Sequence, residues 1–205
     1  ADLTRLRGDR ALEVLSVLLL ALATVGSAWC AYQASQWNGE EALEARASTD
    51  DRVEASRLFS LGIQTISYDA AVVAQYAEAY AAGNEQLMAF YRERLVRPDF
   101  LSVIDALEQG TFEGGNLLDN PDYTQAQLGS YNETVARAEA ATERSQVAGA
   151  NADDYVVLTL VLASALFFAG VTSSFRMRAL RILLLTLSGV AVAGVAARLA
   201  DLPIT

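Results

Sequence analysis

The chain alternates between long charge-free stretches and acidic, helix-patterned ones. No charged residue lies between Glu13 and Glu40, between Asp154 and Arg176, or between Arg181 and Arg198, and the apolar residues gather in those gaps. A helix that crosses a bilayer needs about 20 mostly apolar residues. Residues 12–32 (LEVLSVLLLALATVGSAWCAY) and 155–175 (YVVLTLVLASALFFAGVTSSF) meet that length, and 179–200 is the third candidate span. Its charge-free core, 182–197, covers only about 24 Å, so Arg181 and Arg198 must snorkel toward opposite interfaces for it to cross. Trp29, Tyr32 and Trp37 stand where an aromatic belt marks one interface. The first run reads as a retained anchor rather than a signal peptide, because it is longer than a secretory apolar core and ends in Trp and Tyr instead of a small-residue cleavage site.

Between the first two spans, residues 33–154 read as helices. From Glu40 to about Ala82 there is no proline, and Ala55, Leu58, Phe59, Gly62, Ile66, Ala70, Val73, Ala77 and Tyr80 recur at spacings of three and four. That periodicity predicts one buried stripe on a long arm. Gly83 and Asn84 predict a turn, Pro98 the end of the next short helix, and Asp99 the cap of another over 100–109. Gly110, Gly114, Gly115, Asn116, Asn120 and Pro121 predict a loop, after which 122–151 returns to the second span with a thin, alanine-rich seam: Tyr123, Tyr131, Val135, Ala138, Ala141 and Val147. The expected fold is all-α: three transmembrane helices plus an extracytoplasmic antiparallel helical bundle.

Composition sharpens this picture. Apolar residues make up 53% of the 205, more than an ordinary soluble domain carries, and all 15 basic residues are arginine. The absence of lysine beside abundant alanine reads as prokaryotic coding bias. Arg5, Arg7 and Arg10 precede the first span, and Arg176, Arg178 and Arg181 fill the turn between the second and third. By the positive-inside rule both clusters are expected in the cytoplasm, which puts 1–11 and 176–181 on the cytoplasmic side of the cell membrane and 33–154 and 201–205 on the extracytoplasmic side. The outside segment holds 21 Asp and Glu against 8 Arg. That acidity excludes a nucleic-acid face and tight docking on anionic lipid.

Candidate chemistry is sparse. Without histidine and with Cys30 as the one cysteine, zinc, haem, Ser-His and disulfide chemistry lack their parts, and Cys30 reads as a small packing residue. Glu40, Glu41, Glu44, Asp50, Asp51 and Glu54 place carboxylates on shared helix faces, which reads as a solvated face neutralised in part by Arg46, Arg52 and Arg57. Glu113, Asp119, Asn120 and Asp122 crowd a loop without the ligand order of an EF-hand. Tyr68, Tyr76, Tyr80, Tyr91, Tyr123 and Tyr131, with Phe59, Phe90 and Phe100, read first as core and second as the wall of a small-molecule pocket. Asn132-Glu133-Thr134 fits a glycosylation sequon, which means little in a bacterial chain. No catalytic residue, cofactor or metal site is expected. Small residues at four-residue intervals (Gly26 with Cys30, Ala165 with Ala169, Gly189 with Ala193 and Ala197) predict close helix contacts in lipid.

Ala28-Trp29-Cys30-Ala31-Tyr32-Gln33-Ala34, followed by Trp37-Asn38-Gly39-Glu40-Glu41-Ala42, resembles the start of a group of small prokaryotic multi-pass membrane proteins, with Cys30 where a serine or another small residue is expected. The resemblance covers about a tenth of the chain and implies only the same topology. The order of span, outside helices and span also resembles the sensor bundles of chemoreceptors and histidine kinases, but a third span follows here in place of a cytoplasmic signalling module. These patterns lead to the expectation of a non-enzymatic scaffold or accessory subunit in the lipid bilayer. It would form a homo-oligomer or join other membrane subunits through an assembly stripe of Leu58, Ile66, Val73 and Tyr80, with Asp153 or Asp154 paired to Arg198 at the outer interface. A ligand-sensing bundle is the first alternative and an oligomeric channel the second.

Overall fold

The computed structural model describes residues 2–111, 121–175 and 177–205, with side chains from residue 10 onward. Among the described residues there is no strand. The elements are α1 (Asp2–Ala81), α2 (Glu85–Arg94), a 3-10 turn (Pro98–Phe100), α3 (Leu101–Glu108), α4 (Pro121–Val171), a second 3-10 turn (Thr172–Ser174) and α5 (Arg178–Leu199). Three of the helices, α1, α4 and α5, are long and apolar enough to cross a membrane.

Both long helices merge an apolar run with a polar one. α1 has 80 residues because no proline interrupts it. It stops where Gly83 adopts φ +66°, a conformation glycine takes without Cβ strain. The amide of Asn84 donates to the Ala79 carbonyl and that of Gly83 to the Tyr80 carbonyl, both at 3.0 Å, which closes the helix end with a Schellman turn. Asn84 Oδ1 then accepts from the Leu87 amide at 3.1 Å and starts α2. Three expected boundaries change. α2 ends at Arg94, before Pro98, and Asp99 lies within the 3-10 turn instead of capping a helix. Pro121 opens α4 instead of sitting in a loop, since its missing N–H is one the first helical turn leaves unpaired anyway.

The chain forms two compact units, Ala1–Arg46 with Ala141–Thr205, and Ala47–Ala140. In the first, Ala23, Cys30, Ala34, Tyr155, Leu158, Leu162, Ala165, Val195 and Leu202 form the core. Small residues let α1, α4 and α5 approach: Cys30 and Ala165 are fully buried, and Leu162 Cδ1 lies 3.0 Å from the position a Cβ on Gly26 would take. The buried Ser188 hydroxyl donates to the Ala165 carbonyl at 2.9 Å, so its polarity is spent between two helices.

The second unit packs Ile66, Phe100 and Tyr123 together, with Val73, Val96, Val103 and Leu128 around them. Its inward face on α1 is Ala55, Gly62, Ile66, Asp69, Val72, Tyr76 and Ala79, whereas Ala70 and Tyr80 of the expected stripe are exposed. Gly62 is required by proximity, because a Cβ there would sit 2.8 Å from the Gln127 carbonyl oxygen. Gly62→Ala should therefore lower the stability of the second unit by about 1–3 kcal/mol. Gly39→Ala, on the same helix with nothing within 4 Å, should instead gain up to about 1 kcal/mol of helix propensity. Thermal unfolding followed by circular dichroism separates the two, and equal shifts would contradict the contact.

Candidate functional site

The second unit buries a charge. Asp69 is 1% exposed on the inward face of α1. Arg97 holds it in a two-pronged contact, Nε to Oδ1 at 3.0 Å and Nη2 to Oδ2 at 2.7 Å, and the Tyr123 hydroxyl donates to Oδ2 at 2.7 Å. The order of elements brings these groups together: the turn before Pro98 returns Arg97 to α1, and the first turn of α4 delivers Tyr123. Phe100 packs against Tyr123 with ring centroids 5.4 Å apart and shields the cluster. A carboxylate with bidentate Arg and a hydroxyl is a satisfied network, which is what makes burial of the charge tolerable. Burial and the neighbouring carboxylate both push the Tyr123 phenol well above its ordinary value, and the Asp69 hydrogen bond raises Arg97 further.

A second cluster lies on the same unit. The Tyr76 hydroxyl donates to Glu108 Oε1, Arg92 bridges Asp105 and Glu108, and the Tyr80 hydroxyl approaches the Glu108 carbonyl at 3.5 Å. Burial, then the Glu108 carboxylate, push Tyr76 up to about 12. These phenols are donors held by acceptors, and the Tyr68 hydroxyl likewise donates to the Leu95 carbonyl at 2.8 Å.

In the first unit, polar groups gather around residues 203–205. Trp37 Nε1 and the Tyr155 hydroxyl both donate to the Pro203 carbonyl, at 3.3 and 3.0 Å. The fully buried Gln33 accepts the Thr205 amide and hydroxyl at Oε1, at 3.3 and 2.8 Å, while its Nε2 finds no partner among the described residues. Asp154 Oδ2 meets Arg198 Nη2 at 3.2 Å, and Asp153 is exposed. Both members of that ion pair are about half exposed, so its coupling is of order 0.2–1 kcal/mol.

The remaining sequence candidates fall as follows. Ile66 is buried and Val73 partly so, both covered by the chain itself, Leu58 is half-buried and Tyr80 exposed. Among the acids after Glu40, Glu44 pairs with Arg144 at 2.9 Å, Asp51 with Arg137 at 3.4 Å, and Glu54 with Arg57. Two of these three partners come from α4 rather than from the same helix. Arg57 holds the Glu54 carboxyl below its usual value. Glu113, Asp119 and Asn120 lie outside the described residues, and among those described no three acids or thiols gather as a metal site. Cys30 is buried in the core as a free thiol. No protein-family model, curated protein or solved structure matches the chain.

Sequence reasoning missed the Asp69 cluster because a lone acid inside an apolar stripe looks like a stripe error. The signal was its position: Asp69 lies three residues from Ile66 and four from Val73, on the predicted core face.

The raised phenol gives a pH dependence with a definite sign. An unfolded tyrosine ionises near pH 10. Tyr76 holds its proton to about pH 12 in the folded unit. The stabilisation is complete below about pH 10 and is lost as pH rises toward 12. Denaturant midpoints should fall across that window, and Tyr76→Phe should flatten the fall; an unchanged slope in the variant would assign the alkaline loss elsewhere.

Proposed function

We propose that the chain is a non-enzymatic integral protein of the cell membrane that assembles through the helical segment between its first two spans. Its partners would be copies of itself or subunits of a larger membrane complex, and its N-terminus would be cytoplasmic. One observation carries this reading. In the second unit large apolar side chains remain in the open: Val53 is 67% exposed and Leu61 48%, with Tyr68 and Phe90 about half exposed. Exposed apolar residues such as Val14, Leu18 and Val25 belong to a charge-free run that lipid would cover. Val53 and Leu61 have Asp50, Asp51 and Arg57 as neighbours and no such cover.

Val53, Leu61 and Tyr68 follow one another at intervals of eight and seven residues, which aligns them along one side of α1, apart from the buried Gly62 and Ile66. A ridge of that kind on a helix is what a second helix covers in a bundle. The stripe first expected to meet a partner contributes Ile66 and Val73 to the unit's own core. The exposed ridge, rather than that stripe, is the surface this reading assigns to assembly.

Native mass spectrometry of the detergent-solubilised full chain tests this. The wild type should run as an oligomer, and Val53→Glu combined with Leu61→Glu should reduce its mass while the second unit still unfolds cooperatively. Ile66→Glu should unfold the unit instead. A monodisperse wild-type monomer with cooperative unfolding overturns the assembly reading.

Orientation has its own test in intact cells, where the buried Cys30 gives little background. An impermeant thiol reagent should label Glu85→Cys and spare Arg178→Cys. Labelling in the reverse pattern removes the N-inside topology.

A further inference from the structure

We propose that a groove in the first unit is a binding site for an organic ammonium ion. The groove measures about 570 Å³ and is lined by Trp37, Glu40, Glu44, Glu143, Arg144 and Val147, with Ala148 and Thr205 completing it. Its volume falls within the range of small-molecule sites, about 300–1,000 Å³.

Charge and shape together select the occupant. Arg144 is already committed to Glu44 at 2.9 Å. Glu40 and Glu143 are exposed and make no ion pair or hydrogen bond among the described residues, so the groove keeps uncompensated negative charge. Trp37 supplies an aromatic surface whose position is fixed by its Nε1 bond to the Pro203 carbonyl. A cation over an indole face gains electrostatic attraction, and more when water is partly excluded. Anions are repelled by the two free carboxylates. A bare divalent ion would want a cage of six to eight oxygens, and no metal-ligating group of three forms among the described residues. An ammonium bearing carbon substituents satisfies both parts of the wall: its charge faces the carboxylates, and its carbons lie on Trp37, Val147 and Ala148.

The same chemistry is offered by a free amine and by the headgroup of an aminolipid. The site rests on the groove alone and does not require the assembly reading, so either can fail without the other.

The experiment is a calorimetric titration of choline into the full chain held in nanodiscs of phosphatidylglycerol. Saturable binding is expected, with affinity reduced about tenfold or more by Glu143→Gln and by Glu40→Gln. Neohexanol, the uncharged carbon isostere of choline, should not bind. Trp37→Phe, which keeps an aromatic face but loses the Nε1 anchor, should weaken binding, and Trp37→Leu should lose it; equal effects of the two would assign Trp37 a space-filling role and overturn the aromatic part of the site. Circular dichroism confirms that each variant is folded. Nanodiscs that also contain phosphatidylethanolamine distinguish the sources: a weakened choline affinity identifies the lipid headgroup as competitor, and an unchanged one identifies a free amine. No saturable choline binding, equal binding of neohexanol, or indifference to both glutamate substitutions overturns the site.

Discussion

A backbone amide in hydrocarbon has no water to bond, so a spanning segment must satisfy its own hydrogen bonds, and the helix is how a single segment does so. Residues 12–32 are apolar enough to cross a membrane and are helical throughout, and nothing soon after them interrupts the helix: the next proline is Pro98, and the first residue in a left-handed conformation among those described is Gly83. One helix of 80 residues follows, and α4 repeats the arrangement in reverse, polar turns first and apolar turns after. Both compact units are built on segments of these two helices. Gly83, at φ +66°, ends α1 with satisfied carbonyls and lets α2 begin, and Gly110, also at φ +66°, ends α3 in the same way.

The two units hold their helices together by different means, and the sequence differs accordingly. In the first, the core of α1 is Ala23, Cys30 and Ala34 against Leu158, Leu162 and Ala165. Such small side chains bury little area, but they allow close backbone approach, which counts where lipid removes the hydrophobic contrast. In the second, larger groups and a buried ion pair take over: Ile66, Phe100 and Tyr123 around Asp69 and Arg97. Removing Arg97 alone would strand a carboxylate that is 1% exposed, a change of about 3–5 kcal/mol. Packing of the second unit therefore centres on one buried ion pair with aromatic cover, and packing of the first on small side chains spread along its helices.

This contrast explains what the sequence made legible. Helical class and three candidate spans were readable because charge-free length is a direct physical requirement, and Gly83-Asn84 because glycine suits a left-handed helix end and asparagine suits the cap of the next helix. The Asp154–Arg198 contact was readable from two apolar helices joined by few residues, which brings the start of one run beside the end of the other. The Asp69 cluster was not, because its partners stand 28 and 54 residues away and nothing local marks them. The inward face of α1 was read with Ala70 and Tyr80, where Asp69 and Tyr76 stand instead, since apolar spacing cannot reveal a polar residue whose partners arrive from elsewhere. Arg137 and Arg144, the partners of Asp51 and Glu44, stand on a different helix, so same-helix spacing cannot reveal them either.

Polar residues at the edge of the apolar runs tie residues 203–205 to α1 and α4. Gln33 is fully buried, and a glutamine amide in such a place costs free energy unless it is bonded. Its oxygen is occupied by Thr205, while Trp37 and Tyr155 converge on one carbonyl, that of Pro203. A carbonyl has two lone pairs, so two donors saturate it and neither competes with the other. Residues 203–205 are thereby pinned at three points on α1 and α4. The same bond that satisfies the indole N–H also stops the Trp37 ring from turning, and a fixed ring loses less entropy when something packs on it than a free one does. The Trp37–Pro203 bond thus serves twice: it is one of the anchors of these last residues, and it holds an aromatic wall beside Glu40 and Glu143, which make no ion pair among the described residues.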